Sequence, residues 1–170
     1  MQTIDEALTG VLANAYHFNN GEKAMLKKNF GRTYAKVRDN RAKITFISSL
    51  NERPAENMKE PLFFALTLFC KQDGISGENF QNILAGMYKN PPSASMKNRI
   101  ESLFCINKND KGHLYRDISD LCSMMIRNGK TINIIALAKD LFFWNDETKN
   151  KWINAMVTKN KDAEKLKEED

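Results

Sequence analysis

Ser95-Met-Lys-Asn-Arg-Ile-Glu-Ser-Leu-Phe104, followed by Leu114 to Asn128, then Leu137-Ala-Lys-Asp-Leu-Phe-Phe-Trp144 and Trp152, is the part of this chain that decides its fold. Met96, Ile100, Leu103 and Phe104 recur at three- and four-residue steps. So do Leu114, Ile118, Leu121, Cys122 and Met125, and then Ile134, Leu137, Ala138 and Leu141. That period matches one side of an α-helix, which turns once every 3.6 residues. Asn128-Gly129 stops one helix, Asn133 is placed to cap the next, and Trp144-Asn145-Asp146 turns the chain toward Trp152, Ala155 and Met156.

The same period runs backward through the chain. Thr3-Ile-Asp-Glu6 has the form of a capping box, and Ile4, Leu8, Val11, Leu12 and Ala15 follow on one face. Met25, Leu26, Phe30, Tyr34 and Val37 predict a second helix, in which Gly31 is a weak point or a place of close packing. Ile44, Ile47 and Leu50 suggest a short third. Pro61 suits the first turn of a buried fourth helix over Leu62 to Cys70, and Ser76 is read as the start of a fifth with Phe80, Ile83, Leu84 and Met87 inward. No segment alternates with a two-residue period. Asn90-Pro91-Pro92-Ser93 is the strongest breaker. The expected architecture is all-α, two small helical bundles: 1–90 and 94–158, with a frayed tail at 159–170.

The chain carries a formal net charge of +5, and the basic residues are clustered. Between Gly21 and Lys43 lie Lys23, Lys27, Lys28, Arg32, Lys36, Arg38, Arg41 and Lys43, against Glu22 and Asp39. Lys28, Arg32 and Lys36, at four-residue steps on the other side of that second helix, lie on one stripe. Lys97, Arg99, Arg116, Arg127, Lys130 and Lys139 also lie off the apolar faces. Cations repeated opposite apolar stripes suit a surface that holds phosphates through charge. Phe142, Phe143, Trp144 and Trp152 have core spacing, although two adjacent aromatics, Phe143 and Trp144, place one of them toward a rim.

Catalytic signals are sparse. His17 and His113 have no second ligand at metal spacing, and Asp117 and Asp120 are two carboxylates on one solvated helix face. No glycine-rich phosphate loop, Gly-x-Ser-x-Gly elbow or His-Glu-x-x-His motif occurs, so the expectation is no catalysis and no cofactor. Cys70, Cys105 and Cys122 stand far apart in apolar patterns, as buried free thiols of a reducing cytoplasm would. The longest apolar run, Leu62 to Cys70, is far short of the roughly 20 residues that span a bilayer, and the start has no basic-then-apolar leader.

Four stretches together resemble a known family. Gly21-Glu-Lys-Ala-Met-Leu-Lys-Lys28 is similar to its early glycine-and-basic helix, and Gly74-Ile-Ser76 to the start of its middle helix. Lys97-Asn-Arg99-Ile-Glu-Ser-Leu103 is similar to its paired-arginine helix, and Leu137 to Trp144 with Trp152 to its closing helix-turn-helix. This is the CasB family, the small subunit of the type I-E CRISPR surveillance complex, Cascade. The resemblance is best from Lys97 to Met156. It implies an all-helical, non-catalytic protein of two bundles, present in two copies beside the other Cascade subunits. Its basic surfaces would steady the guide RNA, the paired target DNA strand and the displaced strand of the R-loop. Lys27, Lys28, Arg32, Lys36, Lys97, Arg99, Arg116, Arg127, Lys130 and Lys139 are the cations expected to do so. The chain departs from the family at Cys122 and Ser123, where arginines are common; Arg116, Arg127 and Lys130 lie on neighbouring turns. R-loop formation exchanges one duplex for another of similar stability, so modest phosphate contacts tip it. A helical protein–protein adaptor is the alternative expectation, and a metal enzyme built on Asp117 and Asp120 is the third.

Overall fold

The computed structural model describes residues 2–168, with the side chains of residues 2–158. The described residues are all-α: α1 Ile4–Ala15, α2 Asn20–Lys28, α3 Asn40–Ser48, α4 Lys59–Gln72, α5 Phe80–Lys89, α6 Ala94–Leu103, α7 Lys111–Arg127, α8 Ile134–Phe142 and α9 Asp146–Glu168. Of the tail at 159–170 expected to fray, residues 159–168 belong to α9, and 169 and 170 lie outside the described residues. Among the described residues no helix is long and apolar enough to cross a membrane.

Local signals set several helix ends. The Thr3 hydroxyl accepts from the Glu6 amide while Glu6 accepts from the Thr3 amide, and Asn19 and Glu22 repeat this reciprocal cap at α2. Pro61 lies in the first turn of α4, where its missing N–H costs no helical bond. The next turns are buried all round, from Pro61 to Cys70. Thr67 is tolerated there because its hydroxyl donates back to the Phe63 carbonyl at 3.0 Å.

The second helix is shorter than its apolar period suggests. α2 ends at Lys28, the Asn29 side chain donates to the Met25 carbonyl, and Gly31 adopts φ +94. A positive φ ends helical geometry and suits glycine. Tyr34–Lys36 then form one 3₁₀ turn, pinned by Glu60, whose carboxylate accepts from the Tyr34 and Ala35 amides at 2.8 and 3.1 Å. Lys28, Arg32 and Lys36 therefore do not form one helical stripe. Phe30, Tyr34 and Val37 still pack inward, with the Tyr34 ring against Phe46 and Phe63.

Two further expectations change. The third helix buries Ala42 and Phe46, and leaves Ile44 and Ile47 65% and 47% exposed. The fifth starts at Phe80 after Asn79, not at Ser76, because residues 75–79 run alongside 131–134. The Glu78 amide donates to Thr131 O at 3.0 Å, Asn133 N to Glu78 O at 2.9 Å and Ile134 N to Ile75 O at 3.2 Å. Gln72 closes the same seam, donating to Ile132 O and accepting from Ile132 N. A Cβ on Gly77 would fall on the backbone of Thr131 and Ile132, atoms that cannot rotate aside. Gly77→Ala is expected to lower unfolding stability by about 2–3 kcal/mol, the range of a strained backbone site, as read by urea denaturation; a change under about 0.5 kcal/mol would mean that the seam yields freely.

The halves on either side of the Asn90–Ser93 turn share one hydrophobic cluster. α4 packs on α1, α2 and α8, and α5 packs chiefly on α9. The double proline is thus a turn between α5 and α6, and the boundary between 1–90 and 94–158 crosses shared packing. At the α5–α9 seam, Trp152 lies between Phe80 and Trp144, with centroids 5.2 and 5.1 Å away. Its indole N–H donates at 2.8 Å to Asp140, itself only 9% exposed, and Lys151 bonds the other carboxylate oxygen.

Cys70 and Cys122 are buried, but Cys105 is exposed in the turn after α6, against the sequence expectation. Burial pushes the Cys70 thiol up to about 12 and raises Cys122 as well. The thiolate is the reactive form. A disulfide reagent at pH 8 is therefore expected to titrate one thiol in the native protein and all three after unfolding. Rapid labelling of all three in the native protein would contradict this burial.

Candidate nucleic-acid interface

The break at Gly31 redirects two cations. Arg32 and Lys36, on the turn held by Glu60, meet the start of α7, which carries His113 and Arg116. Together with Thr33 and Asp110 they line a cleft of about 270 Å³. Arg116 Nη2 lies 2.9 Å from His113 Nε2, and Asp117 stands 3.9 Å from both the Arg116 Nε and the His113 Nε2. The first amides of α7 border the same cleft, and Asp110 does not cap them through its side chain. Helix starts leave such amides without carbonyl partners and carry partial positive charge, which adds to the cationic side chains. Three full cations from two remote segments are outermost at the cleft, with Asp110 on its lining, Asp117 beside Arg116 and the Glu60 carboxylate engaged by the Tyr34 and Ala35 amides. Such a cleft can hold a phosphate by charge and direct N–H donation, with no base recognition required.

The other expected cations are distributed around the molecule. Lys27 and Lys28 are exposed at the end of α2, and Lys28 lines a groove of about 610 Å³ between α2 and α3 with Arg41 and Ile44. Lys97 lies over the Tyr88 ring at 5.0 Å, and Arg99 is 3.8 Å from Asp120. Arg127 ends α7, and Lys130 lines a pocket of about 260 Å³ with Asn82, Asn90 and Asn128. Lys139 pairs with Asp5 at 2.8 Å on the α8 side. Among the described residues, Lys27, Lys28, Arg32, Lys36, Arg127 and Lys130 have no carboxylate within 4 Å. Only Arg32, Lys36 and Arg116 of the ten converge.

His113, which has no second ligand at metal spacing in the sequence, lies exposed in the first turn of α7 and lines the cleft. Lys111, two residues earlier, donates to the Phe142 carbonyl at 2.8 Å, and burial lowers its pKa. The apolar period gives no sign of either, because both depend on chain segments brought close by folding. Asp117 and Asp120 do not converge: the first faces His113 and Arg116, the second faces Arg99. Among the described residues no group of three or more His, Cys, Asp or Glu is placed to hold a metal ion.

Neither a family model, a curated protein nor a solved structure matches the chain.

Proposed function

We propose that this chain is a non-catalytic nucleic-acid-binding subunit of a type I-E CRISPR complex, in the position of the CasB small subunit. Its all-α fold is the fold that the sequence resemblance implies. The observation that carries the reading is the convergence of Arg32, Lys36, His113 and Arg116 at one cleft from segments about 80 residues apart. Scattered lysines serve solubility wherever they stand, whereas a shared cleft concentrates positive potential at one place. In this reading the cleft grips phosphates of the guide RNA, the target strand or the displaced strand, and so adds to R-loop stability without reading bases. The other Cascade subunits and a second copy of the chain are the protein partners, and the compartment is the cytoplasm.

The adaptor reading keeps one specific observation, the exposed pair Ile44 and Ile47 beside Arg41 on α3. An exposed apolar pair on a basic helix suits a protein partner. The two readings separate in a salt titration. Anisotropy of a labelled single-stranded oligonucleotide should show affinity falling with salt at a log–log slope of about 2, given roughly 0.7 for each of three phosphate contacts. Arg32→Ala and Arg116→Ala should each remove about 0.7 from it. An oligonucleotide that fails to bind, or binds without salt dependence, leaves the adaptor.

A further inference from the structure

We propose that polyanion binding at the cleft of Arg32, Lys36 and Arg116 is linked to proton uptake by His113, so that the grip tightens as pH falls below neutral. The inference rests on the nucleic-acid reading above and adds regulation to the same cleft.

His113 and Arg116 stand three residues apart on the first turns of α7, and both line the cleft. One guanidinium nitrogen, Arg116 Nη2, lies 2.9 Å from His113 Nε2 and 3.2 Å from Nδ1. A guanidinium only donates, so the ring nitrogen that it bonds is an unprotonated one. The contact therefore belongs to the neutral imidazole. A second proton on the ring leaves donors at both nitrogens and no acceptor, and it sets two like charges side by side. The pair then parts unless an anion comes between them.

The groups around His113 decide what that anion gains. Asp117 stands 3.9 Å from both the imidazole and the guanidinium, one negative charge shared between two cations once the ring is protonated. Asp110 lines the cleft just ahead of α7, and Arg32 and Lys36 line it from the turn after α2. Glu60 is occupied beneath that turn by the Tyr34 and Ala35 amides, and the Lys111 ammonium is bonded to the Phe142 carbonyl. The helix start adds partial positive charge, which disfavours a further cation there. A phosphate reverses that balance, because it accepts from the imidazolium and from Arg116 together. The His113 side chain is 49% exposed, so gaining a charge carries little desolvation cost. Linkage is reciprocal: an anion that favours the protonated ring is itself held more tightly once the proton is on. Histidine is the side chain that changes charge between pH 5 and 8, a range in which phosphodiesters do not titrate.

The test follows the anisotropy of a labelled oligo(dT), whose bases also carry no titrating group in this range, at pH 7.5 and pH 5.5 and fixed ionic strength. The parent should bind about 5-fold more tightly at the lower pH, the effect of one added charge at contact distance in a water-like dielectric. Its log–log salt slope should rise by about 0.7, one further phosphate contact. His113→Gln keeps a side chain that can accept from Arg116 and cannot gain a charge, so it should match the parent at pH 7.5 and lose both changes. His17, the only other histidine in the chain, is exposed and outside the cleft, and His17→Gln should behave as the parent does. Calorimetry in two buffers of different ionisation enthalpy should show net proton uptake on binding in the parent and none in His113→Gln. The proposal is overturned if the parent binds equally at the two pH values, or if His113→Gln with the parent's melting temperature keeps the tightening. Salt-dependent binding at pH 7.5 reports on the phosphate reading separately. If that binding is present while pH has no effect, the linkage alone fails; if the strand binds at neither pH, the nucleic-acid reading fails with it.

Discussion

Trp152→Ala is expected to lower unfolding stability by about 3–5 kcal/mol, the cost of removing a large buried aromatic. The indole is fully buried between Phe80 of α5 and Trp144 of the α8–α9 corner, so its loss opens a cavity where the two halves meet. The cavity is only part of the cost. Asp140 would lose the N–H that it accepts at 2.8 Å, leaving one buried carboxylate oxygen without its donor. An unmet buried acceptor costs about 1–3 kcal/mol on its own. Trp152→Phe separates the two terms, since it keeps most of the packing and lacks the N–H. It should fall between the parent and Trp152→Ala in urea denaturation. Against a total of about 5–15 kcal/mol for a domain, the alanine variant stands close to the threshold of folding. A Trp152→Ala protein within 1 kcal/mol of the parent would show that α5 and α9 do not depend on this contact.

Reversing the cleft charges, Arg32→Glu with Lys36→Glu and Arg116→Glu, is expected to abolish measurable single-strand binding. Each cation at contact distance contributes about 1 kcal/mol in a water-like dielectric, and each reversal adds repulsion of similar size. Three reversals amount to about 6 kcal/mol. Non-specific nucleic-acid binding is typically only about 5–8 kcal/mol in all. Stability should change by no more than about 1 kcal/mol per site, because all three side chains are exposed and none holds a carboxylate in a buried pair. Lys27→Glu with Lys97→Glu is the control, since both residues lie outside the cleft; it should lower affinity several-fold less. Equal losses in the two sets would mean that net charge governs binding and that convergence is irrelevant.

The helices were legible where local chemistry decides them. The Thr3–Glu6 cap, the buried stretch of α4, the Asn133 cap and the faces of α6, α7 and α8 follow from spacing and end residues. The misreadings trace to contacts distant in sequence. Phe30, Tyr34 and Val37 keep helical spacing across a broken segment, because a 3₁₀ turn returns Tyr34 and Val37 to the core, and Glu60, 26 residues from Tyr34, holds that turn. Ser76 resembles a cap, but residues 75–79 are committed to 131–134. Cationic identity was likewise legible and grouping was not. Off-core cations could be named from the period, but the meeting of Arg32 with Arg116 depends on how α4 and α7 lie in the finished fold.

Glu60 has an uncommon place in this arrangement. It is an acid beneath a basic cleft, and its two bonds to the Tyr34 and Ala35 amides give the neighbouring Arg32 and Lys36 their stance. A survey that ranks residues by the sign of their charge would count it as an opponent of any anionic ligand. By geometry it is an ally: the repulsion it exerts from below is the toll for a loop that presents two cations outward instead of letting them sweep through solvent. Affinity for a polyanion here is a matter of posture as much as of charge, and part of that posture is written in a carboxylate.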